Sequence, residues 1–250
     1  MADKSKVELK ILRQDGPDRK PYWDEFVVDY VPGMNVISCL MSIRCNPVNK
    51  KGQKVQPVVW ECNCLEEVCG ACSMLINGKP RQSCSALVDK LTQPIELKPL
   101  SKFPIVRDLM VNRKAMFDAF KTVKAWVPID GTFDIGPGPR VAPEVQEKRY
   151  ALARCMVCGC CMESCPQYHS VKKDFIGPAA LSQAHLFNLD EIGKLTKEER
   201  LRAVMGSGGI QNCGNAQNCV RACPKEIPIT DSIAELGRET TKQLLKDIFG

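Results

Sequence analysis

Alternation of apolar and polar residues governs the first hundred positions. Val7, Leu9 and Ile11 alternate within VELKIL (7–12), and Tyr22, Phe26, Val28 and Tyr30 resume the period in YWDEFVVDYV (22–31), after the turn-forming DGPDRKP. From Met34 to Cys45 the period lengthens, with Ile37, Leu40, Met41 and Arg44 at helical spacing. Asn77-Gly78 stands between apolar flanks in SMLINGKPRQSC, a strong hairpin signal, and PIELKPL (94–100) reads as a closing strand. Two strands, a helix, a cysteine-rich loop, a hairpin and a last strand predict a small sheet wrapped on one helix.

Beyond residue 105 helical patterns take over. RDLMVNRKAMFDAFKTVKAW (107–126) predicts a helix, and the Pro- and Gly-rich stretch 127–143 predicts irregular chain. Further helices are expected from Pro143 to Arg154, with proline in the first turn, and over 178–189, 196–205 and 230–248. Thr196 followed by Glu199 has capping-box spacing. The chain therefore divides into a β-rich domain, 1–105, and an α-helical domain, 106–250: an α+β protein.

Composition narrows the class. In 250 residues, 44% are hydrophobic and 26% charged, and no apolar run approaches the ~20 residues that cross a bilayer. MADKSKVELK carries no signal-peptide pattern, so export is not expected. The net charge of +6 is spread along the chain and reads as solvated faces; docking on an acidic protein or an anionic membrane surface is the other use of such charge. Fifteen cysteines is a high and odd count, which in a reducing compartment favours metal ligation over disulfides.

Their spacing is specific. Cys64, Cys69 and Cys72 form C-x4-C-x2-C, the plant-type 2Fe–2S loop, and the Asn77-Gly78 hairpin returns a fourth thiolate, Cys84. Small residues between the ligands let backbone N–H groups face the sulfurs. Cys155, Cys158, Cys161 and Cys165-Pro166 form the C-x2-C-x2-C-x3-C-P run of bacterial ferredoxins, whose fourth cysteine serves the other cluster. The reciprocal run is Cys213, Cys219 and Cys223-Pro224, with Ala216 in place of a middle cysteine. Crossing the runs assigns Cys155, Cys158, Cys161 and Cys223 to a 4Fe–4S cluster. Cys165, Cys213 and Cys219 remain, and three thiolates suit a 3Fe–4S centre. Cys62 and Cys160 fall out of register, and Cys39 sits on an apolar helix face. A zinc module is the rival from another class; it usually uses two separated short cysteine pairs.

With CLEEVCGACSMLINGKPRQSC (64–84), FPIVRDL (103–109), WVPIDG (126–131), FIGPA (175–179) and NCVRACPKEIP (218–228), nearly the whole chain resembles the iron–sulfur subunits of succinate dehydrogenase and fumarate reductase, most of all the Gram-positive type. The resemblance implies a β-grasp 2Fe–2S ferredoxin-like domain followed by an all-helical ferredoxin domain. It also implies a relay between FAD on a flavoprotein subunit and a quinone at the boundary with a membrane-anchor cytochrome b subunit that carries haem. The chain would then lie at the cytoplasmic face of the cell membrane, peripherally, and bind no nucleic acid. Dicarboxylate chemistry would belong to the flavoprotein; Gly206-Ser-Gly208-Gly209 and Gly136-Pro-Gly138 do not complete a dinucleotide fingerprint and read as loops.

Departures bear on the quinone. His169, Ser170 and Gly214 stand where ubiquinone-type relatives carry a Trp pair and a His, so menaquinone is expected, with Pro166 by position at the quinone boundary. Glu226 stands where many relatives have Gly. His169 and His185, the two histidines, are candidates for a quinone-side proton donor, with a surface or structural role the plainer reading. A fumarate reductase working in the opposite direction, or with a soluble non-quinone donor, is the alternative.

Overall fold

A computed structural model describes residues 5–127, 139–172 and 174–250. They pack as two compact units, Met1–Arg113 with Met156–Glu163, and Lys114–Cys155 with Ser164–Gly250.

The first unit is built on a five-stranded mixed sheet of order β2-β1-β5-β3-β4. β1 (Lys6–Arg13) pairs antiparallel with β2 (Tyr22–Asp29) and parallel with β5 (Ile95–Lys98). β3 (Ser73–Ile76) and β4 (Lys79–Gln82) form the hairpin, with Asn77 and Gly78 both at positive φ (49° and 77°), as a type I′ turn requires. Asn77 also ties the hairpin to its neighbours: its Oδ1 accepts from the Glu96 N–H (2.7 Å) and its Nδ2 donates to the Thr92 carbonyl (2.9 Å).

α1 (Val36–Cys45) covers the sheet. Val7, Leu9 and Ile11 of β1 and Ile95 and Leu97 of β5 share a core with Ile37, Leu40 and Ile43 of the helix. Cys39 belongs to that core, and burial pushes its thiol up to about 12. Asn35 caps α1 in a reciprocal box with Ser38, and its Nδ2 donates to the Cys84 carbonyl (2.8 Å).

The helix expected over 107–126 forms only in part. Residues 107–113 are not helical; Ile105–Arg107 (β6) and Met110–Val111 (β7) form a short antiparallel ribbon, and α2 spans only Lys114–Thr122. The cause is tertiary. Asp108, at φ 46°, turns its carboxylate onto the fully buried Arg13 (3.0 and 3.1 Å) and accepts from the N–H groups of Gln14 and Val59 (3.2 and 3.0 Å).

The second unit is helical: α2, α3 (Pro143–Ala153), α5 (Pro178–Leu189), α6 (Lys197–Met205), α7 (Asn218–Arg221) and α8 (Ile229–Phe249); α4 (Cys160–Ser164) belongs, but for Ser164, to the first unit. α5 lies at its centre and buries Ala180, Leu181, Ala184 and His185 among α8, α3 and α6. The capping box expected at Thr196 does not form: Thr196 Oγ1 donates to the Gly193 carbonyl (3.3 Å) and accepts from Arg200 (3.0 Å). Of the irregular stretch 127–143 and the loop at Gly136-Pro-Gly138, residues 128–138 lie outside the described residues; Gly206–Gly209 is a loop.

Candidate metal centres

The loop after Cys62 folds around its own sulfurs. Leu65, Glu67 and Gly70 all take positive φ (62°, 55° and 72°), which turns successive N–H groups to one side of the chain. Cys64 Sγ accepts from the N–H groups of Glu66 (3.4 Å), Val68 (3.3 Å) and Cys69 (3.3 Å), and Cys69 Sγ from that of Ala71 (3.4 Å). Those donors stabilise negative sulfur and hold the Cys64 thiol down at about 7. Cys72 and Cys84 are buried instead, and burial pushes the Cys72 thiol up to about 12. Ser83 fastens the two ends of the hairpin, where Cys72 precedes β3 and Cys84 follows β4, its N–H and Oγ both donating to the Cys72 carbonyl (3.2 and 2.9 Å). Cys62 is exposed.

Half-buried and N–H-bonded on one side, buried on the other, this set of four thiols fits a 2Fe–2S core. Its donors aim at sulfur, and a metal charge would offset the cost of ionising Cys72 and Cys84 in their apolar site. Among the described residues no three or more Cys, His, Asp or Glu side chains converge as a single metal ion requires. A multi-iron core has no such focus, since it shares its thiolates among several irons.

Polar residues missed in the sequence surround these sulfurs. Ser73 and Gln82, paired across the hairpin, are both buried; Gln82 Nε2 donates to Ser73 Oγ (2.8 Å) and to Cys160 Sγ (3.7 Å), and its Oε1 accepts from Cys72 Sγ (3.4 Å). A buried polar cross-strand pair flanking two ligands is a signal that the sequence does carry. Cys160 in turn hydrogen-bonds Cys158; that bond, with help from Arg113, holds the Cys158 thiol down at about 7 and pushes Cys160 well above its usual range. Glu163 secures the segment, accepting from the N–H groups of Ser101 and Lys102 (both 3.0 Å).

In the second unit Cys165, Cys213 and Cys219 line one cavity together with Ala216, Pro166 and Gln167. α7 presents Cys219, and burial raises its thiol. Ala216 adds an apolar side chain to the same lining, and a cavity with three sulfurs and an apolar wall is compatible with a 3Fe–4S core. Gly214 lies under Gln167, whose Nε2 would be 2.4 Å from a Cβ there. Cys155 and Cys223 are half-buried in this unit, and Cys158 and Cys161 are buried in the first.

The histidines differ. His169 lines a second cavity with Tyr168, Ser170 and Phe175, and its Nδ1 accepts from the Val171 N–H (3.3 Å). His185 is buried between Ser232 (3.0 Å) and Glu235 (3.4 Å), and burial lowers its pKa. Glu226 takes φ 52°, a left-handed position that favours glycine.

Residues 8–118 match the family model of the 2Fe–2S iron–sulfur cluster binding domain, and residues 151–227 that of the 4Fe–4S dicluster domain. The chain is 56% identical over all 250 residues to the succinate dehydrogenase iron–sulfur subunit of Bacillus subtilis (strain 168), covering 98% of it. To the fumarate reductase iron–sulfur subunit of Wolinella succinogenes it is 29% identical over 224 residues, 88% of this chain and 90% of that one. Among solved structures, a chain of the Mycobacterium smegmatis Sdh1 complex in the apo form shares the fold, with a TM-score of 0.76 at 20% identity over 96% of this chain and 98% of that one.

Proposed function

The chain belongs to the iron–sulfur, electron-transferring subunits of succinate dehydrogenase, and we propose that it conducts electrons between FAD on a flavoprotein subunit and a quinone, menaquinone by preference, at the boundary with a haem-bearing cytochrome b anchor. Cys64, Cys69, Cys72 and Cys84 would hold a 2Fe–2S cluster, Cys155, Cys158, Cys161 and Cys223 a 4Fe–4S cluster, and Cys165, Cys213 and Cys219 a 3Fe–4S cluster. When bound, these groups supply one-electron redox stations whose potentials follow cluster type, charge, hydrogen bonding and burial.

The polypeptide sets those terms. N–H groups of the 65–71 loop offset negative charge at Cys64 and Cys69, and the core strands keep water from Cys72 and Cys84. Pro166 is exposed on the rim of the three-thiol cavity, which suits a station that meets quinone at a subunit boundary. No helix among the described residues is long and apolar enough to cross a membrane; the proposed place is peripheral, at the cytoplasmic face, beside a separate anchor.

The observation that carries this reading is the cavity shared by Cys165, Cys213, Cys219 and Ala216. EPR of the whole complex tests it: an oxidised 3Fe–4S signal should stand beside two further signals on reduction. Ala216→Cys should convert that centre to 4Fe–4S and lower its potential. An unchanged oxidised signal in that variant would show that residue 216 does not face the vacant iron corner.

A further inference from the structure

Arg113 follows the β6–β7 ribbon and returns its guanidinium to the first thiolate loop. Nη1 donates to the Gly70 carbonyl (2.8 Å), and Nη2 donates to the Ala71 carbonyl (2.6 Å) and reaches Glu61 (3.5 Å). Gly70 and Ala71 are the two residues between Cys69 and Cys72. A further donor, Nε–H, is buried with no hydrogen-bond partner. Burying such a group without a partner is costly, so a donor left over beside sulfur ligands suits an acceptor that the polypeptide does not supply.

Gly70 also meets the ferredoxin run. At φ 72°, a Cβ on it would stand 2.5 Å from the Met156 carbonyl oxygen and 2.9 Å from the Cys158 Cα. Met156–Glu163 packs within the same unit, so this backbone approach is internal to it. One cation thus holds a two-residue bridge that has Cys69 and Cys72 at its ends and Cys158 against its face. Neither the ligand spacing nor the ferredoxin motifs include Arg113.

We infer that Arg113 is a positioning residue shared by the 2Fe–2S and 4Fe–4S sites: it fixes the Gly70–Cys158 approach and, as a permanent positive charge beside both, raises both reduction potentials. The inference rests on the ligand sets proposed above. Reduction adds negative charge, so a nearby cation favours the reduced state. Arginine suits the place because its fork spans two adjacent carbonyls and its charge is not lost at any working pH.

EPR-monitored redox titration of the whole complex tests the idea with Arg113→Gln, Arg113→Lys and Glu61→Gln. Arg113→Gln should lower both potentials by on the order of tenfold in the reduced-to-oxidised ratio, about 59 mV for a one-electron couple. Arg113→Lys keeps the charge and should restore most of that shift. Glu61→Gln leaves the clamp in place, removes an opposing charge and should shift both potentials upward, which keeps the idea testable if Arg113→Gln does not assemble. Both signals present with potentials unmoved in Arg113→Gln, or a downward shift in Glu61→Gln, would overturn it. Wild-type complex lacking the 2Fe–2S or 4Fe–4S signal would instead overturn the ligand reading beneath it.

Discussion

Cysteine chemistry in this chain is set by neighbours more than by position in a motif. Cys64 and Cys72 are eight residues apart in one motif, yet three N–H donors bring the first thiol to about 7 and burial drives the second to about 12. The thiolate is the reactive form. Once iron is removed anaerobically at neutral pH, a brief pulse of iodoacetamide should label Cys64 before Cys72, by at least about tenfold. Peptide mass spectrometry reads the order, and equal labelling of the two would mean that the N–H nest collapses without its cluster. Iron removal therefore probes whether the loop is preorganised or made by its metal.

One element depends on buried charge. The β6–β7 ribbon replaces the first turns of an expected helix because Asp108 is taken by Arg13, with both side chains fully buried. Asp108→Ala takes the nearer of two carboxylates from that buried guanidinium, leaving only Asp24 at 3.7 Å, and should cost about 3 kcal/mol of unfolding free energy. Removing both charges, with Arg13→Met and Asp108→Leu together, should recover much of the loss. Denaturant unfolding measures both, and a double variant as weak as the single one would refute the buried-charge account.

The α5–α8 contact carries its own titration. His185 faces Glu235 and Glu239, which favour its charged form, and Lys148 and Lys197, which oppose it; burial outweighs all four and lowers its pKa below 6.5. A group depressed in this way binds its proton more readily in the unfolded chain, so its contribution is complete above pH 6.5 and declines as pH falls below it. The unfolding free energy of the wild type should fall from pH 7.5 to 5.5, and His185→Gln should flatten that slope. An identical slope in the variant would assign the loss to other groups.

The whole molecule has no membrane-spanning helix among its described residues, and its proposed place is between a flavoprotein and an anchor. Chaotrope without detergent should therefore strip it from membrane vesicles, leaving haem behind. If only detergent releases it, attachment involves more than protein docking.

Sequence alone determined the thiolate spacings, the alternating β1 and β2, the Asn77-Gly78 hairpin and the centres of α3, α5, α6 and α8. Each rests on residues near one another in the chain: covalent spacing, a period of two or of 3.6, a turn residue with the right φ. Tertiary structure decided the rest. Asp108 abandoned a helix for an arginine 95 residues away, and Thr196 gave its hydroxyl to Arg200 in place of its own cap. The approach of Gly70 to Cys158 and the clamp of Arg113 across it join segments with no shared period or motif. Ligand spacing is written into the chain because a cluster is held by local loops. The charge that surrounds it comes from whichever distant side chains the packed core brings near.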